Sequence, residues 1–197
     1  MANHPREEIT FLMVKPDGVR RGLSGEIIRR VERVGLKIVA LKMFEPTKKQ
    51  VDEHYPKAAE WVHRLGEKTL AVYEKYGYDA LKELGSEKPN VIGPQVREWL
   101  IKFMTSAPVV VMVIKGVHAV DMVRKIAGPT MPSDAEMGTI RGDFSVDSAA
   151  AANRDRRAVY NLVHASETQE EAGHEIAHWF GREHLHDYAR TDDEVFN

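Results

Sequence analysis

Apolar residues recur at two different periods along the 197-residue chain. ITFLMVKP (9–16), LKIVALKMFEP (36–46), PVVVMVIKG (108–116) and VYNLVHAS (159–166) are strand-length runs, alternating or continuously apolar and rich in β-branched residues. Pro16, Asp17 and Gly18 punctuate the end of the first. Elsewhere the spacing is helical. GEIIRRVERVG places Ile27, Ile28, Val31 and Val34 on one stripe, with Ser24 as the expected cap and Gly35 as the stop. Thr47 and Gln50 form a capping box for KKQVDEHY, and Thr168 and Glu171 one for TQEEAGHEIAHWFG. VREWLIKFM and HAVDMVRKIAG are also helical in pattern. The charged stretch from 57 to about 90 predicts two short outer helices, and 129–157 predicts a long irregular loop.

Strand, helix, strand, helices, strand, helix, loop, strand, helix is the order of a split βαβ. The expected fold class is therefore α/β (α+β): a ferredoxin-like, mostly antiparallel four-stranded sheet covered by helices, with a helical insertion. The expectation is one domain over 1–197, interrupted by a helical insertion at 57–92 and a loop insertion at 145–158.

Composition narrows the function. Lys plus Arg is 28 and Asp plus Glu is 30, a net charge of −2, which argues against a nucleic-acid coat or a polybasic membrane binder. Cysteine is absent, so thiolate metal sites, disulfides and a cysteine nucleophile are excluded. MANHPREEIT lacks an apolar signal region and no apolar run reaches membrane-span length, so the expectation is a soluble cytoplasmic protein with no membrane partner.

HEIAHWFGREH (174–184) spells the zinc-protease pattern H-E-x-x-H-x-x-G-x-x-H. His174 and His178 share a helical face. Against a zinc-dependent hydrolase stand the position and the helix itself. Only 13 residues follow His184, and no methionine lies beyond Met137 to make the turn such enzymes carry. The helix already has an apolar stripe at Ala172, Ile176, Trp179 and Phe180. His174 and His178 lie off that stripe, on the expected solvent side, whereas Glu175 sits at its edge and needs a partner. A second candidate is His164, ending an apolar strand, with Ser166 two residues on. No GxxxxGK loop is present, so anion binding must come from separate side chains: Lys15, Arg124, Thr130 and Arg141.

VKPDGVRRGLSGEII, KFMTSAPVVVMVIKG, the G-P-T-x-P run, GTIRGDF, NLVHASE and HEIAHWF, in that order, resemble the nucleoside diphosphate kinase family over roughly residues 8–55 and 93–188. The resemblance implies a ping-pong transfer of the ATP γ-phosphate to a nucleoside diphosphate through a phosphohistidine on His164. Glu175 and Ser166 would orient that histidine, and Tyr55 would lie near it. Lys15, Arg124, Thr130, Arg141 and Asn161 would contact phosphate and sugar, and Mg²⁺ would arrive with the nucleotide. It also implies self-association, usually as a hexamer. The insertions resemble those of archaeal members. Counting back from KFMTSAP puts the base-stacking position at Val96, where valine cannot stack as phenylalanine does. The expectation is either weaker base binding or a substitute from the insertion, with Trp61, Tyr76 and Tyr78 as candidates. The competing classes are the zinc hydrolase, a non-enzymatic ferredoxin-like module binding RNA, for which the strands offer no aromatic platform, and a relative without kinase activity.

Overall fold

A computed structural model describes residues 5–181 and 185–191, with the Arg6 side chain outside that description. β1 (Glu8–Val14), β2 (Lys37–Phe44), β3 (Val109–Gly116) and β4 (Val163–Ala165) form one antiparallel sheet in the order β2-β3-β1-β4. Successive strand side chains point to opposite faces. Leu12, Val14, Val110, Met112 and Ile114 therefore fill one core, under α2 (Ser24–Arg33) and α7 (Ala119–Ala127), which follow the short α1 (Pro16–Arg20) and β3 respectively. Phe11, Met13, Val109, Val111 and Val113 fill the other, against Val51, Ile101, Met104, Trp179 and Phe180. These come from α3 (Lys48–His54), α6 (Pro89–Met104) and α10 (Gln169–Phe180). Cover on both faces is why β1 and β3 read as continuous apolar runs rather than alternating ones.

The ferredoxin-like expectation is met, with local corrections. Thr47 and Gln50 form the predicted reciprocal box, and Thr168 caps α10 by accepting from the Glu171 amide at 3.1 Å. Ser24 does not cap α2. It is the first helical residue, behind an N-cap at Leu23 that makes no side-chain bond. β4 is three residues long rather than eight, because Leu162 has φ +67° and the Val163 amide bonds the Asn161 carbonyl at 2.7 Å, closing a tight three-residue turn.

The segment predicted as two short helices does hold two, but the first is long: α4 (Ala59–Tyr76) has 18 residues and α5 (Ala80–Leu84) follows it. The 129–157 stretch is not a structureless loop, since it contains α8 (Ile140–Phe144) and α9 (Ala149–Arg154). The 57–92 and 145–158 segments pack on each other. Arg154, at the end of α9, donates through Nε and Nη2 to the Glu83 carboxylate, at 3.2 Å each, and lies 4.5 Å above the Tyr78 ring. Tyr73, Ala80, Leu84 and Ile92, with Val96 and Trp99 against them, give the insertion a small core of its own.

Helix α4 docks on α6 by backbone approach. A Cβ on Gly66 would lie 2.1 Å from the Pro89 carbonyl oxygen, and one on Gly93 2.0 Å from that of Val62. Neither position has room for a side chain unless the helices separate. Gly93→Val is expected to destabilise the protein by at least about 1–3 kcal/mol, the range for overpacking. Gly25→Ala, in α2 with nothing within 4 Å of the added carbon, is expected to be neutral or stabilising by helix propensity. Thermal unfolding of the two variants checks the pair. Equal melting temperatures would show that the α4–α6 crossing does not need its glycines.

Candidate active site

The site forms where β1, β4, α8 and α10 meet. Its centre is His164 in β4, paired across the ladder with Met13. On the far side of the ring, Glu175 of α10 approaches Nε2 with Oε1 at 2.5 Å, and its other oxygen accepts from Ser166 Oγ at 2.5 Å. Ser166 is fully buried and Glu175 is 3% exposed. Thr168, not Ser166, caps α10, which leaves the Ser166 hydroxyl to Glu175. Glu175 acts as an acceptor twice, so His164 donates from Nε2, and the neutral ring then carries its lone pair on Nδ1. Among the described residues, nothing in the protein bonds Nδ1. The arrangement makes His164 a held nucleophile facing a cleft.

That cleft has a volume of about 1190 Å³, and its walls include Lys15, Arg124, Thr130, Arg141, Asn161 and His164. The motif T-I-R-G-D-F explains how Arg141 is aimed. Thr139 accepts from the Gly142 amide at 3.0 Å and opens α8. Ile140 is fully buried in the core. Gly142 has no room for a Cβ, which would sit 2.0 Å from the Glu136 carbonyl oxygen. Asp143 accepts from the Gly138 amide at 2.7 Å and from Arg30 at 2.6 Å. Arg141 itself donates Nε to the Asn161 carbonyl at 3.1 Å, Nη1 to that of Gly128 at 2.5 Å and Nη2 to that of Val163 at 2.7 Å. Three fixed carbonyls thus hold one guanidinium. Burial, with Arg124 adding to it, pushes its pKa down to about 10.

Lys15 ends β1. Its backbone amide bonds the Leu162 carbonyl at 2.8 Å and its Nζ donates to Asn161 Oδ1 at 2.8 Å. Burial first, then Arg141, pushes the ammonium pKa down to about 8, against a smaller pull upward from Asp17. The Asn161 amide nitrogen donates to the Thr130 carbonyl at 2.9 Å, so one side chain ties Lys15 to the 129–131 loop. Leu162, strained at positive φ, is clamped by the Lys15 amide and by Asp17, whose Oδ2 accepts from the Leu162 amide at 3.0 Å. Arg124 lies 3.6 Å from Glu167 at the rim.

Two expectations are corrected. Val96 is not at the cleft: it lies on α6, against Tyr73 and Ile92 in the insertion's core. The aromatic that does line the cleft is Trp61, from the start of α4, stacked on Tyr55 with centroids 6.1 Å apart. Tyr76 and Tyr78 stack on each other at the opposite end of α4. The zinc pattern also fails as a ligand set. His174 is exposed, whereas His178 is not on a solvent face, because its Nε2 bonds the Gln50 carbonyl at 2.9 Å. His184 lies outside the described residues. Among the described residues, the one trio of metal-capable side chains in reach of one another is His54, His164 and Glu175, which takes Glu175 alone from the motif.

His54 was missed by the sequence reading. Its side chain is 6% exposed, and its Nδ1 accepts from the Trp179 indole at 3.3 Å and lies 3.6 Å from Glu175. Its ring meets His164 edge-on, with centroids 5.1 Å apart. Burial holds its pKa well below the usual histidine range, so it packs as a neutral wall behind Glu175. Adjacency to Tyr55 on the last turn of α3 was the available sign.

Fold and cleft together define a ferredoxin-like α/β protein with His164 lining a nucleotide-sized, cation-walled cavity. The family model "Nucleoside diphosphate kinase" matches residues 8–63 and 93–185. A nucleoside diphosphate kinase from Pyrobaculum aerophilum is 48% identical over 178 residues, covering 90% of this chain and 97% of that protein. A crystal structure of an NDP kinase from Pyrobaculum aerophilum superposes with a TM-score of 0.87 at 46% identity, covering 91% of this chain and 99% of that one. A Borrelia burgdorferi nucleoside-diphosphate kinase, solved as a transition state mimic with vanadate and ADP, superposes at 0.74 with 35% identity, covering 96% of both chains. The chain belongs to the nucleoside diphosphate kinase family. Its activity is the transfer of phosphate between nucleoside triphosphates and diphosphates.

Proposed function

We propose that this transfer runs through a phosphohistidine formed at Nδ1 of His164, with ATP as the first donor. The lone pair on Nδ1 forms the N–P bond while the bond from the γ-phosphorus to the bridging oxygen breaks and its electrons leave on the β-phosphate. A second nucleoside diphosphate then attacks the same phosphorus and the histidine is released. The observation that supports this reading most is the Nε2–Glu175 bond, which holds the ring and leaves Nδ1 for the cleft. Ser166 holds Glu175 in place. Burial keeps the Tyr55 phenol protonated, so it serves as a donor beside the transferring group. Charge spreads over the phosphoryl oxygens in the transition state, and Lys15, Arg141 and Arg124 supply fixed cations for it. Thr130 and Asn161 contact phosphate and sugar, and Trp61 takes the base in place of Val96.

Mg²⁺ is held by the phosphates of the nucleotide and water rather than by a protein cage. The cleft's donor set fits that role: its carboxylates, Glu136, Glu167 and Glu171, lie among a larger number of cations, and Glu167 already pairs with Arg124. Bound there, the ion neutralises charge on the β- and γ-phosphates. Exposed Leu41 and Met43, on edge strand β2, suit self-association, as a hexamer in this reading. Among the described residues no helix is long and apolar enough to cross a membrane, which agrees with a cytoplasmic enzyme. The test is incubation with γ-labelled ATP and Mg²⁺ without acceptor. Acid-labile, alkali-stable label that a nucleoside diphosphate removes is the expected result, and a folded protein that stays unlabelled would refute it.

The pH dependence follows from Lys15. Its folded pKa of about 8 lies below the ordinary 10.5, so the unfolded chain binds more protons between those values and stability rises with pH across that window. The positive charge offered to phosphate is lost over the same window. Nucleotide affinity is therefore expected to fall above about pH 8. Calorimetric titration with ADP at pH 7 and pH 9 reads this directly, and an unchanged Kd would show that the Lys15 charge is not used.

A further inference from the structure

The family model leaves residues 64–92 unmatched, yet this stretch reaches the cleft. Arg64 and Lys68, on α4, line the same cavity as His164 and Lys15. They lie three and seven residues after Trp61, so all three share one helical face. Arg33 of α2 and Lys125 of α7 also line the cavity, exposed and, among the described residues, without a hydrogen bond or ion pair, but both lie within the family model's match; the remaining cations there are engaged. Arg30 is bound to Glu26 and Asp143, Arg124 pairs with Glu167, and Arg141 is spent on three carbonyls. Arg64 and Lys68 are exposed and, among the described residues, have no hydrogen bond or ion pair. Like charges four apart on a helix repel, so the pair costs stability where it stands unless an anion comes between. The helix cannot drift from the cleft, because Gly66, on its buried face, is held against the Pro89 backbone.

Resting on the phosphotransfer reading above, we propose that Arg64 and Lys68 form a second cationic wall, supplied by the insertion, that captures the polyphosphate of the incoming nucleoside diphosphate. This wall acts on capture and not on the transfer step. Unpaired cations lining a concave wall focus field and raise the local concentration of an anionic substrate. A nucleotide stacked on Trp61 would also meet Arg64 and Lys68, which lie outside the family model's match.

The test compares two double variants of equal net charge change. Arg64→Glu/Lys68→Glu reverses the wall, whereas Lys75→Glu/Lys82→Glu reverses two cations of the insertion that do not line the cleft. At low ionic strength the first is expected to lose about tenfold or more in kcat/KM for a nucleoside diphosphate, the low end of electrostatic focusing. The loss should sit in KM and shrink at high salt as screening shortens the field's reach. The distal pair should behave as wild type. Equal losses in both pairs would reduce the effect to net charge and overturn the proposal, as would no loss in the first. If charge reversal unfolds α4 by circular dichroism, Arg64→Gln/Lys68→Gln carries the same comparison. Phosphohistidine labelling of the wild type separates the two levels. A wild type that labels while the wall variants keep kcat/KM sinks this inference alone, and a wild type that does not label sinks the reading beneath it.

Discussion

Alanine at His164 is expected to remove phosphoenzyme formation entirely and to lower nucleotide exchange by on the order of 10⁵-fold, as loss of the nucleophile does in other covalent enzymes. The size of the effect comes from the absence of a substitute. His54 is the nearest other imidazole, but its Nδ1 accepts from Trp179 and its ring packs behind Glu175. It cannot take over without breaking that packing. Protein stability should change little by comparison. Glu175 keeps the Ser166 bond when the imidazole is gone, and His164 is partly exposed on the cleft side. Rapid-quench labelling and steady-state turnover of the purified variant measure both quantities. Label retained on His164→Ala would place the covalent step on another residue.

Arg141 should be the most costly position in the cleft for stability. Arg141→Leu leaves the carbonyls of Gly128 and Val163 without their donor in a buried setting, whereas the Asn161 carbonyl keeps the Val163 amide. At about 1–3 kcal/mol for each of the two orphaned acceptors, the expected loss is roughly 2–6 kcal/mol. That corresponds to a fall in Tm of roughly 4–24 °C for a chain of this size. Activity falls with it, since the same guanidinium is the fixed cation beside His164. Arg141→Lys separates geometry from charge. A lysine keeps the charge but offers one nitrogen, which cannot span three carbonyls, so it too should melt well below wild type. A wild-type melting temperature for Arg141→Leu would mean that the two carbonyls find water and that the hydrogen-bond argument is wrong.

Much of the fold was legible in the chain because the central strands are buried on both faces, and burial on both faces leaves an unbroken apolar run. β1 and β3 were therefore the easiest elements to read. The caps at Thr47 and Thr168 were legible for a local reason, the three-residue spacing of acceptor and amide. The end of β4 was not, because Leu162 at positive φ has no compositional mark: leucine is a poor choice for that conformation and is held there by Lys15 and Asp17 from β1 and α1. Gly66, in the middle of helix α4, has no local reason to be glycine. Its reason for being glycine lies in α6, at the Pro89 carbonyl.

The zinc spelling shows the same division. Residues 174–178 carry the right letters, and helical spacing does put His174 and His178 on one side. Which of those letters has chemistry depends on what packs against α10. β4 brings His164 to Glu175, and α3 brings Gln50 to His178 and His54 to Trp179. By itself the sequence determined the strands, most of the helices, the family resemblance and the set of cationic and histidine candidates, because those rest on periodicity and on short motifs. Tertiary structure alone decided that Val96 faces a satellite core, that Trp61, Arg64 and Lys68 face the cleft, and that His54 backs the nucleophile. Each of those depends on contacts between residues far apart in the chain, and no local pattern encodes the crossing of two helices whose backbones touch.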